Sequence, residues 1–203
     1  MKQIFTLIFC VFFMSAPALA NEDLQKAQDY LQSLKTLQAG FTQSFTDFDN
    51  TETILTGTFS LKRPGRMRFE FNEIEDFIVA DGFLVYFYDS QERGQTNAPI
   101  GQTLADFILR DDITFDTEEV SVQDIKKSNG YTSITLVQTA DPAAGSLQLT
   151  FSQIPYRLHK WRVVDAQGIV VDTKFDNLKT DIDFPSGFFL YVDPDHGKGG
   201  FND

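Results

Sequence analysis

Arg63 is the side chain whose position most needs a chemical account. Leu55, Gly57, Phe59, Leu61 and Arg63 share one parity, and Met67, Phe69 and Phe71 resume it after Pro64-Gly65. That is the period of two expected of a strand pair with one apolar face. The opposite face carries Thr56, Thr58, Ser60, Lys62, Arg66, Arg68 and Glu70, polar enough to meet water. A guanidinium in phase with Phe59 and Leu61 points to the apolar side, where an unpaired charge costs several kcal/mol, so acceptors inside should receive it. The other reading is that Pro64 breaks the strand and lets Arg63 swing into solvent. Neither assigns it a catalytic task.

Groups suited to catalysis are sparse. The two histidines are His159, between Leu158 and Lys160, and His196 in a Gly-rich tail, and neither has a partner at metal-ligand spacing. There is no nucleophile elbow, phosphate loop or zinc-binding helix signature. Asp193, Asp195 and His196 make a poor chelating set without a rigid shell, and Asp111-Asp112 and Glu118-Glu119 read as solvated loop carboxylates rather than an acid/base pair. No catalytic residue, metal site or cofactor is expected.

The elements that must hold Arg63 follow from the rest of the chain. Residues 1–20 read as a Sec-type signal peptide, with Lys2, an apolar run too short to span a bilayer, and cleavage after Ala20. The domain is then 21–203, and it is exported. The one cysteine, Cys10, falls in the leader, which excludes disulfides and thiol chemistry from the remainder. Losing Lys2 takes the net charge from −12 to −13. So acidic a chain repels phosphate backbones and anionic bilayers, so neither nucleic acid nor stable membrane insertion is expected. Of 21 phenylalanines only Phe5, Phe9, Phe12 and Phe13 lie in the leader; the others can fill a thick core or line a cavity.

Residues 22–35 carry Leu24, Ala27, Leu31 and Leu34 at helical spacing, with Glu22-Asp23 placed to favour the helix start. Residues 37–45 alternate as a first strand. After the central pair, 77–80 and 83–88 flank Asp81-Gly82 as a hairpin. Because 83–88 is apolar on both faces, it needs cover on both, and the N-terminal helix is one candidate. Residues 90–98 read as a polar loop. Ile100, Leu104, Phe107 and Ile108 give a short amphipathic helix, with Thr103 and Asp106 as a capping box. A helix that short depends on what it packs against, so it could plug the fold or move as a lid. Hairpins then succeed one another, Asn129-Gly130 marking the clearest, and 188–192 is a last extended piece. The expected fold is mainly β with a helical lid: a single antiparallel sheet of ten or eleven strands, curled into an unclosed barrel and covered by the N-terminal helix and short helices around 100–110. No coiled-coil seam argues against a monomer.

The run Leu61-Lys62-Arg63-Pro64-Gly65-Arg66-Met67-Arg68-Phe69-Glu70-Phe71, followed by Ile78-Val79-Ala80-Asp81-Gly82 and by Phe188-Phe189-Leu190-Tyr191-Val192-Asp193-Pro194, resembles the LolA family of periplasmic lipoprotein carriers. The likeness covers most of the mature chain; R-P-G-R-x-R-F and A-D-G are its specific cores. No further lobe is evident beyond Pro194. The resemblance implies an unclosed barrel whose helices lid a hydrophobic cavity for the acyl chains of outer-membrane lipoproteins, taken from the inner-membrane transporter LolCDE and given to the receptor LolB. It also implies that Arg63 is a latch, hydrogen-bonded into the lid helices through backbone carbonyls when the cavity is empty. Candidates for the acyl-chain surface are Phe59, Leu61, Met67, Phe69, Phe71 and Phe87 from strands, and Leu104, Phe107 and Ile108 from the lid. On this reading the sheet keeps a greasy hollow left unfilled. The alternative is a related half-barrel serving as a lipid-binding or protein-binding sensor or scaffold in the envelope.

Overall fold

A computed structural model describes residues 16–46, 51–103 and 106–195, with side chains from residue 21 onward. Its strands are β1 Thr36–Thr46, β2 Glu52–Lys62, β3 Arg66–Phe71, β4 Phe77–Asp81, β5 Leu84–Asp89, β6 Gly94–Pro99, β7 Val120–Ser128, β8 Tyr131–Gln138, β9 Gly145–Gln153, β10 Tyr156–Asp165 and β11 Val170–Thr180. All eleven belong to one antiparallel sheet in the order β6-β5-β4-β3-β2-β1-β11-β10-β9-β8-β7. Two meanders are thus laid side by side, joined where β1 pairs with β11. The outer strands β6 and β7 are not paired with each other, and the curl stays open.

Alternation decides which side is buried. Ala39, Phe59, Phe69, Ile78 and Phe87 are successive cross-strand partners, as are Leu37, Leu61, Met67, Ala80 and Val85. Across the sheet, Ile134, Leu149, Trp161 and Thr173 form the facing row. Side chains of both halves meet in one core. Phe41 partners Gly57 and lies over it, so that a Cβ on Gly57 would stand 2.7 Å from the ring and 2.0 Å from Glu70 O. A glycine is needed there for the strands and ring to approach so closely.

Helix α1, Ala16–Ser33, packs Ala27 and Leu31 into this core, and Tyr30 meets Phe151 and Tyr156 edge-on. It begins before the expected residue 22, running back through Ala20, so Glu22-Asp23 does not stand at its first turn. The expected helix across 100–108 is broken into a 3-10 turn, Ile100–Gln102, and a single α turn, α2, Asp106–Leu109. The capping box does not form. Thr103 Oγ1 donates to Ile100 O at 2.8 Å, and the Asp106 carboxylate pairs with Arg110.

Further expectations are corrected. Residues 94–99, read as loop, are the edge strand β6. An edge strand paired on one side and exposed on both faces carries no alternation to betray it. The piece at 188–192 is not a strand but part of a turn-rich strap, 182–195, across the outer face of β3–β5. There Tyr191 stacks on Tyr86, and Tyr88 Oη donates to Asp195 at 2.7 Å. This strap, not α1, covers the outer side of β5. Ser60, read as solvent-facing, is buried, and Gln38 Nε2 donates to its hydroxyl at 3.2 Å. Phe83, read as a covered strand residue, is 83% exposed at the β4–β5 turn.

Candidate functional site

The site is built where β2 turns into β3. The strand period carries Arg63 to the inner face, where it is only 6% exposed, so it does not swing into solvent around Pro64. Its Nε donates to Ile108 O at 2.8 Å, and Nη1 donates to Leu34 O at 2.6 Å and to Leu31 O. The last carbonyls of a helix lack partners within it, and these acceptors belong to the ends of α1 and α2. The backbone adds two more ties: Arg63 N donates to Lys35 O at 2.9 Å and Gly65 N to Leu109 O at 2.8 Å. Burial pulls the guanidinium pKa down to about 10, with Asp111 opposing the shift, so it stays cationic at neutral pH.

Above the sheet, Ile100, Phe107, Ile108 and Leu109 are buried and turned into the core, continued by Ile113 and Phe115. Beneath them most of the interior is filled. Phe59 packs on Phe69 at 4.6 Å between ring centres, Trp161 on Phe59 at 5.2 Å and on Phe175 at 4.7 Å, and Phe41 on Phe69 at 5.1 Å. An interior left largely unfilled is therefore not what the structure has. What is left is an apolar hollow of about 220 Å³ lined by Met67, Phe69, Ile78, Ile108, Leu147, Trp161, Val163 and Val171, with Gln43 and Thr173.

Of the expected residues, Met67, Phe69 and Ile108 line the hollow. Phe59, Leu61 and Phe107 are buried in the packing around it. Phe71 is half-buried against Phe41 at 5.4 Å, and Phe87, at the end of its row, is 39% exposed. Leu104 lies outside the described residues, as do His196 and Cys10. Reasoning on the first half of the chain missed the facing wall of Leu147, Trp161, Val163 and Val171. The signal was there: Leu147, Leu149 and Phe151 alternate, as do Trp161 with Val163 and Val171 with Phe175.

His159 sits in β10 against Tyr131, 4.8 Å between ring centres, far in sequence from any carboxylate pair. Burial, then Lys174, Arg157 and Lys160, depress its pKa. Among the described residues, no helix is long and apolar enough to cross a membrane.

A family model described as outer membrane lipoprotein carrier protein LolA matches residues 32–192. The outer-membrane lipoprotein carrier protein of Legionella pneumophila (strain Paris) is 25% identical over 204 residues, covering 96% of each chain. That of Pseudoalteromonas translucida (strain TAC 125) is 25% identical over 201 residues, covering 96% of this chain and 95% of its own. Among solved structures, a LolA superfamily protein from Nitrosomonas europaea superposes with a TM-score of 0.48 at 13% identity, over 85% of this chain and 97% of that one.

Proposed function

Since this chain belongs to the LolA family, a family of carriers and not of enzymes, we propose that it binds the acyl chains of lipoproteins under its helical lid and ferries them through the periplasm. Its donor would be LolCDE and its acceptor LolB, with residues 1–20 removed on export. The observation that carries this reading is the buried Arg63, which fastens both α1 and α2 over an apolar interior through backbone carbonyls alone.

The physics asks for such a device. Each buried methylene is worth about 0.8 kcal/mol, so a multiply acylated protein scarcely leaves a membrane unless an equally apolar surface receives it. The hollow of about 220 Å³ is too small for that cargo as it stands. Loading therefore requires Ile100, Phe107 and Ile108 to give up their places, which breaks the Arg63 bonds. Acyl chains and Arg63 compete for the same interior, and a ligand shifts such an equilibrium only by its differential affinity for the open form. The competition keeps cargo bound tightly enough to travel and loosely enough to leave. In this reading Met67, Phe69 and Ile108 touch the chain first, and Phe59, Leu61, Phe71, Phe87 and Phe107 join as the lid lifts. No cofactor takes part.

The test is mass spectrometry of material that co-purifies with the protein from the periplasm. A triacylated lipoprotein is expected. Phospholipid alone, or nothing, would overturn the carrier reading in favour of an envelope sensor or scaffold.

A further inference from the structure

Between α2 and β7 the chain crosses back over α1 in a segment without regular secondary structure, in which Ile113 and Phe115 are buried and Thr114 between them is exposed. That alternation is the habit of an extended chain, but none of the strands among the described residues pairs with it. Its buried amides still need acceptors. Two glutamine side chains of α1 supply them. Ile113 N donates to Gln32 Oε1 at 2.7 Å and Phe115 N donates to Gln28 Oε1 at 2.8 Å, while Gln32 Nε2 donates to Asp111 O at 2.8 Å. A primary amide offers a carbonyl and an N–H, as a peptide unit does. Gln32 uses both, bridging residues two apart as a strand residue does in a parallel ladder.

The spacing makes the match possible. Four residues of helix advance about 6 Å, and two residues of extended chain advance about 6.6 Å. Glutamines at 28 and 32 therefore meet alternate amides of a segment running the other way. An exposed ion pair, Lys35 to Asp111 at 3.5 Å, continues the seam.

We infer that Gln28 and Gln32 are positioning residues that clasp α1 to residues 111–115, so that helix and lid leave the barrel as one body. Arg63 holds that body to the sheet; the glutamines hold its two parts to each other. When the guanidinium lets go, a preassembled flap swings, and the apolar sides of Leu31, Ile108, Ile113 and Phe115 move together. What the motion admits rests on the carrier reading. The coupling itself belongs to the cargo-free protein.

Amide hydrogen exchange of the cargo-free protein tests it. In Arg63→Leu, the amides of α1 and those of Ile113 and Phe115 are expected to speed up by a common factor. Adding Gln28→Leu and Gln32→Leu should split them, with the amides of 113 and 115 exchanging at least about tenfold faster than those of α1, the worth of one net hydrogen bond each. Gln28→Glu beside an unaltered Gln32 keeps both acceptors and the Gln32 donor to Asp111 O, and should restore the common rate, which loss of packing alone would not. Separate rates for helix and segment in Arg63→Leu, or a shared rate that survives the two leucines, would overturn the clasp. Should the carrier reading fail instead, no lipoprotein co-purifies yet the common rate persists.

Discussion

Replacing Arg63 by leucine isolates the energetics of closure. The side chain makes three bonds to buried carbonyls, those of Leu31, Leu34 and Ile108. Hydrogen bonds from a charged donor are worth about 1.5–3 kcal/mol each. Against them stands the desolvation of a buried cation, several kcal/mol, which shows in the pKa pulled down to about 10. Leucine in its place recovers about 1.5–3 kcal/mol of apolar burial. With that desolvation holding the bonds to the low end of their net worth, together about 4.5 kcal/mol, and leucine returning its share, the balance is a loss of about 1.5–3 kcal/mol from the closed form, or about 12- to 140-fold in the ratio of open to closed molecules. The loss falls on the lid and not on the sheet, because carbonyls at helix ends recover water once the lid lifts. Since apparent affinity scales with the fraction competent to bind, Arg63→Leu should bind a fluorescent fatty acid up to that much more tightly and hand lipoprotein to purified LolB more slowly. Arg63→Lys keeps the charge but not the planar fork, and should fall between. Unchanged probe affinity together with unchanged handover would refute the latch.

Phe107→Glu puts a carboxylate where the lid meets the core and should weaken both probe binding and cargo release from the inner membrane, with the circular dichroism of the sheet unaltered. Gly57→Ala drives a Cβ to 2.0 Å from Glu70 O and should cost the upper end of about 1–3 kcal/mol; an unchanged urea midpoint would show that the strands yield more easily than their packing suggests. Tyr88→Phe removes the hydroxyl that donates to Asp195 and should loosen the strap by about 1 kcal/mol, read as faster exchange of amides at 188–192 with probe affinity unmoved. His159 has a pKa depressed below 6.5 by burial and then by Lys174, Arg157 and Lys160. Between that depressed value and 6.5 the unfolded chain holds more protons than the folded one, so the contribution is complete above pH 6.5 and is lost as pH falls through the folded pKa. His159→Gln should therefore flatten the fall in Tm below pH 6.5, and an undiminished fall would contradict that assignment.

The strands with one wet and one dry face were legible because their residues alternate. Phe59, Leu61, Arg63, Met67 and Phe69 announce their side of the sheet without any partner in view. The edge strand β6 was not legible, since a strand open to water on both faces and on one edge places no demand on its side chains. Nor was the strap: Phe188, Phe189 and Tyr191 advertise burial, but turns meet it as well as a strand would. The short lid resisted for a related reason. Ile100, Phe107 and Ile108 fit a helical period, but a helix so brief takes its shape from the surface beneath it, and here that surface breaks it into two separate turns.

By itself the sequence determined that the chain is a run of antiparallel strands with a greasy inner side, and that a cation stands in phase with the apolar residues, where it must either find acceptors inside or leave for solvent past Pro64. All of these follow from local spacing and from the cost of an unpaired buried charge. Only the tertiary structure decided that β1 would pair with β11 and bring Trp161 across to Phe59, that three particular carbonyls would receive Arg63, and how little empty space is left between the rings. Pairing between distant strands and the filling of an interior depend on every side chain at once, and no periodicity along the chain encodes a sum of that kind.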